Sequence, residues 1–282
     1  MQKVFLVDNG SLRPSSTLNL RRVAAALSER VGVEIEPVSL LHSNKVSAAD
    51  LGGRAAQTFG PTATRWAREG VEDFIVLPFF FGPSRALTDY VPERIATLRE
   101  RFPQVRVRVA SPLVDLFGET DLRLANILRD GVRDISTGDD KPAVVLVDHG
   151  SPIPEVTAVR NTLAGQLSVL LSGEVSRVAA ASMERRDGDA YRFNEPLLET
   201  LLGQPGFASG RVIISMLFLS PGRHAGAEGD VAGICRQAEE RHPRLRTVMT
   251  DLAGEHSGIV DILSDRLHTA QDASQLLLDL QE

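Results

Sequence analysis

The chain is almost free of cysteine. Cys235 is the single cysteine among 282 residues, so an internal disulfide framework is excluded, as is any zinc or iron–sulfur site built on cysteine. A chain without disulfides fits the reducing conditions of the cytoplasm. The amino terminus, MQKVFLVDNGS, reads as a first strand and lacks the basic region and longer apolar stretch of a signal peptide. We therefore expect a cytoplasmic protein.

Basic charge and long hydrophobic runs are also scarce. Lysine and arginine number 31 against 37 acidic residues, which gives a net charge of −6. This balance argues against broad nucleic-acid binding, which needs a basic surface. Apolar runs such as residues 74–81 are far shorter than the roughly 20 residues of a membrane span. We expect neither a nucleic-acid nor a membrane partner, and any anionic ligand has to be held by local arginines.

What the sequence does contain is a long internal repeat. Residues 3–14 (KVFLVDNGSLRP) and 143–154 (AVVLVDHGSPIP) agree at seven of twelve positions with a constant offset of 140. Further correspondences keep their order along both halves, at offsets of 138 to 142: 35–42 with 177–184, 74–86 with 212–224, and 101–105 with 241–245. The period is too long for a solenoid and indicates a duplicated domain.

Both halves alternate short β-branched runs with amphipathic stretches, and the polar stretch 136–142 reads as the linker between them. We predict domains at 1–138 and 143–282. In the second domain the strands are predicted at 143–148, 176–182, 211–218 and 245–249, and the helices at 155–171, 194–203, 227–241 and 257–268. Consecutively apolar strands are typical of a parallel sheet covered by helices on both faces. The predicted fold class is α/β, with two tandem, doubly wound, flavodoxin-like domains.

Three polar residues of the second half follow predicted strands. His149 follows the first, Glu184 the second and His224 the third. Because ligands bind at the carboxyl ends of such strands, we expect the three side chains to share one edge of the sheet. Two neutral imidazoles and a carboxylate suit a first-row divalent metal, and an imidazole also accepts protons near neutral pH.

Each of these residues alone is a weak signal. A single histidine after a strand is more often a hydrogen-bonded structural residue, and Glu184 precedes Arg185 and Arg186, which makes a surface ion pair the plain interpretation. The first half holds Asn9 opposite His149, His42 opposite Glu184, and Arg85 or Ala86 opposite His224. The first domain is therefore predicted to be a degenerate copy that cannot form the same site.

The combination of motifs resembles the sirohydrochlorin chelatase family, over essentially the whole two-half chain. The matching segments are 144–151 (VVLVDHGS), 182–201 (SMERRDGDAYRFNEPLLETL) and 217–231 (LFLSPGRHAGAEGDV). The resemblance implies insertion of Co²⁺ or Fe²⁺ into a tetrapyrrole, in cobalamin or sirohaem synthesis, with the metal as substrate and no tightly bound cofactor. It also implies that His149, His224 and Glu184 are the catalytic, metal-binding residues. Arg223, Arg185 and Arg85 are candidates for pairing with substrate carboxylates.

Two departures from the family pattern leave alternatives open. The histidine pair lies in the second half, whereas long members more often keep it in the first, and the acidic residue after the GRH motif, Asp230, comes two residues late. A non-catalytic metal chaperone or sensor is one alternative, and an interaction module without a site is another. A phosphate-handling enzyme is disfavoured because Asp148 precedes His149 and repels phosphate. The metal, the macrocycle and the oligomeric state, a homo-oligomer included, stay open.

Overall fold

The computed structural model describes residues 2–136 and 141–279 and contains two four-stranded parallel sheets. The first sheet has the strand order β2-β1-β3-β4 and consists of β1 (Gln2–Asp8), β2 (Ile35–Ser39), β3 (Asp73–Pro78) and β4 (Arg106–Val109). The second has the order β6-β5-β7-β8 and consists of β5 (Ala143–Asp148), β6 (Arg177–Ser182), β7 (Gly210–Met216) and β8 (Leu245–Leu252). The predicted α/β fold class, with two tandem parallel-sheet domains, is confirmed.

Helices connect the strands of both sheets. Those of the first repeat are α1 (Pro14–Val31), α2 (Phe59–Arg68), α3 (Val91–Arg101) and α4 (Arg123–Ile135). Those of the second are α5 (Pro154–Leu170), α6 (Leu198–Leu201), α7 (Asp230–Arg241) and α8 (Ile259–Asp279). The prediction of a helix at 194–203 is largely wrong. Residues 189–194 form a 3-10 helix, and Pro196 interrupts the stretch before the single turn of α6.

The central strand of each sheet is buried on both faces. Every residue from Val4 to Val7 in β1, and from Val144 to Val147 in β5, is fully buried. This explains why both strands are continuously apolar rather than alternating. A proline at the first position starts both following helices, Pro14 in α1 and Pro154 in α5, where its missing N–H costs no hydrogen bond.

The chain divides into two compact units that differ from the predicted domain ranges. The first unit contains the described residues up to Asp115 together with those from Val260 onward, and the second spans Leu116–Ile259. The predicted ranges, 1–138 and 143–282, instead place α4 in the first domain and α8 in the second. No helix in the described part of the chain is long and apolar enough to cross a membrane.

Contacts within each unit account for this exchange of helices. In the first unit, Arg266 of α8 donates from Nε to the carbonyl oxygen of Pro112 at 3.1 Å, and Leu263 and Leu267 of the same helix are fully buried. In the second unit, Arg133 of α4 donates from Nε to Glu174, after α5, at 2.9 Å. The final helix of each sequence repeat thus packs in the unit formed mainly by the other repeat.

A buried aspartate ends the first strand of each sheet, but the two carboxylates have different surroundings. Asp148 Oδ1 accepts a hydrogen bond from Ser182 Oγ at 2.6 Å and lies 3.6 Å from Nη1 of the buried Arg160. The position of Arg160 in α5 corresponds to Leu20 in α1. Among the described residues, Asp8 has no ion pair, and burial raises the pKa of its carboxyl to about 6. The duplicated fold therefore carries one buried carboxylate with a buried arginine beside it and, among the described residues, one without an ion-pair partner.

We expect Asp8→Asn to remove a pH-dependent loss of stability. The unfolded Asp8 ionises near its ordinary value of 3.8 while the folded one holds its proton to about pH 6. The contribution of Asp8 to the free energy of unfolding then falls as pH rises, by about 3 kcal/mol in total and by about 2 kcal/mol between pH 4 and pH 6. Asp8→Asn should match the wild type near pH 4 and be more stable at pH 8, as measured by urea unfolding across that range.

The matched control for this prediction is Asp148→Asn. This change leaves the buried Arg160 without its counterion and should destabilise the protein at pH 8, by about 3 to 5 kcal/mol. If the stability of the wild type does not decline between pH 4 and pH 8 relative to Asp8→Asn, the raised pKa of Asp8 is contradicted.

Candidate metal site at the edge of the second sheet

The strand order of the second sheet creates a switch point at the carboxyl ends of β5 and β7. The chain leaves β5 toward β6 on one side and later returns to β7 on the other, and ligands bind in doubly wound sheets where such connections diverge. His149 directly follows β5, Glu184 follows β6 by two residues, and His224 lies in the loop between β7 and α7. The topology therefore brings all three to one edge.

The three side chains meet as two neighbouring pairs around His149. The ring centroids of His149 and His224 are 4.6 Å apart and the ring planes cross at 76°. His149 Nε2 lies 3.4 Å from Glu184 Oε1. Glu184 is 60% exposed and His149 46%, so both side chains can change rotamer to meet an incoming ion. The structure thus places the predicted residues within reach of one another at an open surface.

Gly150 makes the approach of His149 to Glu184 feasible. It adopts a φ of 91°, and a Cβ built on it would lie 1.9 Å from the carbonyl oxygen of Glu184. The amide of Glu184 donates to the carbonyl oxygen of His149 at 3.2 Å. Any side chain at position 150 would push the two turns apart, so glycine is required by both the left-handed backbone and the close contact.

Hydrogen bonds fix which imidazole nitrogens are available. His149 Nδ1 lies 3.0 Å from the carbonyl oxygen of Gly150, and His224 Nδ1 lies 2.7 Å from Oδ2 of Asp230, the first residue of α7. Since both partners are acceptors, a proton on Nδ1 of each ring satisfies these contacts and leaves the Nε2 lone pair for a ligand. With the His149 proton on Nδ1, His149 Nε2 and Glu184 Oε1 face each other as two acceptors, an arrangement that a shared cation stabilises.

The site is not a preformed metal cage. In the parts of the chain that the structure describes, no set of three or more His, Cys, Asp and Glu side chains is arranged to coordinate one ion. The close pairs give the donor types that a first-row metal prefers, and a rotation of the exposed Glu184 side chain is needed before all three residues share an ion. The metal-ligand assignment of the trio therefore stays a prediction.

The three arginines predicted to bind substrate differ in their surroundings. Arg223 is 75% exposed, and its Nε lies 3.6 Å from Asp230 Oδ2. Arg185 is engaged, because its Nε donates to Glu195 Oε1 at 2.7 Å and its Nη1 donates to the carbonyl oxygen of Arg186. Arg85 is exposed and belongs to the first unit. Arg223 is the best placed of the three to pair with an anionic group at this edge.

The first sheet has the same turns with different side chains. The amide of Leu41 donates to the carbonyl oxygen of Asn9 at 3.1 Å, as Glu184 does to His149 in the second sheet. The counterpart of Glu184 is therefore Leu41, and the predicted pairing with His42 is wrong by one residue. The strand registers agree, because Asp8 pairs with Ser39 and Asp148 with Ser182. The first unit offers an amide and an apolar side chain where the second offers an imidazole and a carboxylate.

Buried polar residues behind the site escaped the sequence analysis. Burial raises the pKa of Asp148, while the Ser182 hydroxyl and the Arg160 guanidinium act in the opposite direction. Arg160 is 1% exposed and donates from Nη1 to the carbonyl oxygen of Asn194 at 2.9 Å. Comparing the two repeats could have found Arg160, because this charged residue of α5 is aligned with the apolar Leu20 of α1.

One known protein family matches both halves of the chain. The family model of CbiX matches residues 3–134 and again 143–270. No curated protein matches the chain.

Solved structures share the fold over nearly the full length. SirB from Bacillus subtilis with Fe³⁺ has a TM-score of 0.72 at 16% identity, with 97% of both chains covered. The sirohydrochlorin chelatase SirB of Bacillus subtilis subspecies spizizenii, in complex with cobalt, has a TM-score of 0.70 at 16% identity and the same coverage. CbiX, the terminal enzyme of siroheme biosynthesis in denitrifying bacteria, has a TM-score of 0.57 at 13% identity, covering 95% of this chain and 99% of that one. At these identities the likeness establishes the fold.

We predict that the two histidines bind a divalent metal and that the equivalent residue of the first sheet does not. His149→Ala or His224→Ala should weaken Co²⁺ binding by at least about tenfold, because each removes one imidazole ligand. Asn9→Ala, at the position equivalent to His149, should leave the affinity unchanged. Calorimetric titration of Co²⁺ measures all three, and equal affinities in the wild type and the His149 variant refute the assignment.

Proposed function

The chain belongs to the CbiX family, and on that premise we propose that it is a sirohydrochlorin-type chelatase, a lyase that inserts Co²⁺ or Fe²⁺ into a tetrapyrrole. The observation that carries the proposal is the pair of imidazoles 4.6 Å apart at the switch point of the second sheet, with Glu184 beside them. The metal is a substrate, and the reaction needs no tightly bound cofactor. The product feeds cobalamin or sirohaem synthesis in the cytoplasm.

Insertion exchanges two protons for one divalent ion. The ion loses bound water, its remaining ligands are replaced by the ring nitrogens, and the two pyrrole N–H groups release their protons. His149 and His224 hold the ion through the Nε2 atoms that their Nδ1 hydrogen bonds leave free. Glu184, beside His149 Nε2, is placed to take one proton as a general base and to pass it to solvent.

Asp230 supports the second proton transfer. Its carboxylate accepts the hydrogen bond from His224 Nδ1 at 2.7 Å, so it stabilises the positive charge that forms when His224 releases the metal and takes up a proton at Nε2. The late position of Asp230 in the loop after the GRH motif is therefore compatible with this role, because the carboxylate reaches the ring from the first turn of α7.

A metal chaperone or sensor is the second candidate. It is favoured by the open, paired arrangement, in which no three ligands of the described residues already surround one position. Such a protein binds the ion and transfers it without accelerating insertion into the macrocycle. Metal binding alone therefore does not distinguish the two functions.

An insertion assay tests the proposal. Sirohydrochlorin is incubated with Co²⁺ or Fe²⁺, with and without the protein, and the loss of the metal-free absorption spectrum is followed. The wild type and Asn9→Ala should accelerate insertion, whereas His149→Ala and His224→Ala should not. Saturable Co²⁺ binding without any acceleration of insertion would establish the chaperone or sensor instead.

We further predict that Arg223 recognises the carboxylates of the tetrapyrrole. The protein has a net charge of −6, so a polyanionic macrocycle needs a local cation, and Arg223 is exposed beside the site. Arg223→Ala should weaken tetrapyrrole binding several-fold and leave Co²⁺ affinity nearly unchanged. Binding by the wild type should also weaken as salt rises, because the Debye length falls to about 8 Å at physiological ionic strength.

Fluorescence titration with sirohydrochlorin at low and high salt measures both effects. The matched control is Arg241→Ala, which removes the same charge from the far end of α7 and should bind the tetrapyrrole like the wild type. If both variants lose the same affinity for the tetrapyrrole, the effect of Arg223→Ala comes from net charge alone.

A further inference from the structure

Asn194 is a fully buried amide, and three of its four hydrogen bonds go to Ser151 and Thr157, in and after the turn that carries His149. Its Oδ1 accepts from the backbone N–H of Ser151 at 2.9 Å and from Thr157 Oγ1 at 3.1 Å. Its Nδ2 donates to the carbonyl oxygens of Ser151 at 2.9 Å and Tyr191 at 3.0 Å. Both polar atoms of the amide are thus saturated. Asn194 binds Ser151, two residues after His149, by both backbone groups.

Arg160 fixes the residue on the other side of His149. Its buried guanidinium donates to Ser182 Oγ and to the carbonyl oxygen of Asn194, and Ser182 in turn donates to Asp148 Oδ1 at 2.6 Å. The pair of Arg160 and Asp148, 3.6 Å apart, ties α5 to the end of β5. Asp148 and Ser151 are therefore both anchored, and only His149 and Gly150 lie between the anchors.

The first unit forms the same turn without these anchors. Asn9 and Leu41 make the backbone hydrogen bond at 3.1 Å, and Gly10 has a φ of 85°. Leu20 occupies the position equivalent to Arg160. Ser39 and Ser182 each donate a backbone hydrogen bond to the segment that follows, and aligning these two bonds makes Ala55 the equivalent of Asn194. The turn is thus a property of the fold, and the polar network is not required to form it.

Unmatched atoms in the first unit mark where the network is missing. Thr17 Oγ1, equivalent to the Thr157 hydroxyl that binds Asn194, is buried without a hydrogen bond, and so is Asp8 Oδ1. A small cavity of about 10 Å³ lies beside Thr17, lined in part by Thr17, Leu20 and Ala55. Arg21 still anchors the segment through the carbonyl oxygen of Ala55 at 3.2 Å. The missing part is therefore the connection to the turn.

We propose that Asn194 and Arg160 are positioning residues that hold His149 with its Nε2 directed toward the metal, a role that rests on the proposed function of this edge. The half that carries the histidine has both Arg160 and Asn194, whereas the half that carries Asn9 has Leu20 and Ala55 at the equivalent positions. Anchoring both ends of a two-residue segment restricts the rotation of the His149 backbone and preserves the Nδ1 contact with Gly150 at 3.0 Å. Mutating a group hydrogen-bonded directly to a metal ligand typically lowers metal affinity by 10- to 100-fold, and we expect an effect of about tenfold here because Asn194 and Arg160 act through the residues on either side of His149.

Asn194→Ala tests the proposal, with Leu167→Ala as the matched control. Leu167 is fully buried in α5, the helix that carries Arg160, and its truncation destabilises the unit without touching the turn. Thr157→Val removes a single hydrogen bond to Asn194 and serves as a milder variant should Asn194→Ala fail to fold. Each protein is measured for thermal stability and for Co²⁺ affinity.

The second measurement uses the metal-free protein. The ¹⁵N chemical shifts of His149, recorded at a pH where the ring is neutral, report which nitrogen carries the proton. The wild type and Leu167→Ala should show the Nδ1–H tautomer and the same Co²⁺ affinity. Asn194→Ala should show a mixture of tautomers and an affinity at least tenfold lower, with Thr157→Val between them.

The outcomes separate this proposal from the proposed function. The positioning role is overturned if the Asn194 and Thr157 variants lose stability but keep the wild-type tautomer and Co²⁺ affinity. The network is then purely structural. A wild type that binds no Co²⁺ refutes the metal site, and the tautomer measurement then decides the positioning role on its own.

Discussion

The contact between two turns, one after β5 and one after β6, is the constraint on which the site depends. A Cβ at Gly150 would lie 1.9 Å from the carbonyl oxygen of Glu184, and one at Gly10 would lie 1.8 Å from that of Leu41. In both sheets, the second residue after the first strand must therefore be glycine. The backbone of the edge is common to both units, and only the side chains it presents decide whether a metal can bind there.

Much of the fold and the position of the histidines could be predicted because they follow local rules. Continuous apolar runs indicate buried parallel strands, and residues directly after such strands lie at the ligand-binding edge. The counterpart of Glu184 was misplaced by one residue because no motif marks the end of β2, and a register is fixed only by pairing of strands far apart in sequence. Asn194 escaped because its partner Ser151 is 43 residues away.

The two halves show how one fold carries different buried charges. In the second unit, Arg160 compensates Asp148 and also connects α5 to the turn with His149. In the first unit, the buried Leu20 stands at the equivalent position, and burial raises the pKa of Asp8 to about 6 with no arginine among the described residues acting against it. A buried ion pair is rarely the most stable solution, and retaining one is understandable where it orients a functional group.

The exchange of α4 and α8 between the units sets the order in which the chain can fold during synthesis. The second unit has all its residues once Ile259 has left the ribosome, whereas the first unit, most of which precedes it in the chain, still lacks α8. The half that is translated first is thus completed last, against the usual order in which amino-terminal domains fold first. A premature stop shortly after residue 259 therefore exposes apolar surface in the first unit and leaves the second intact.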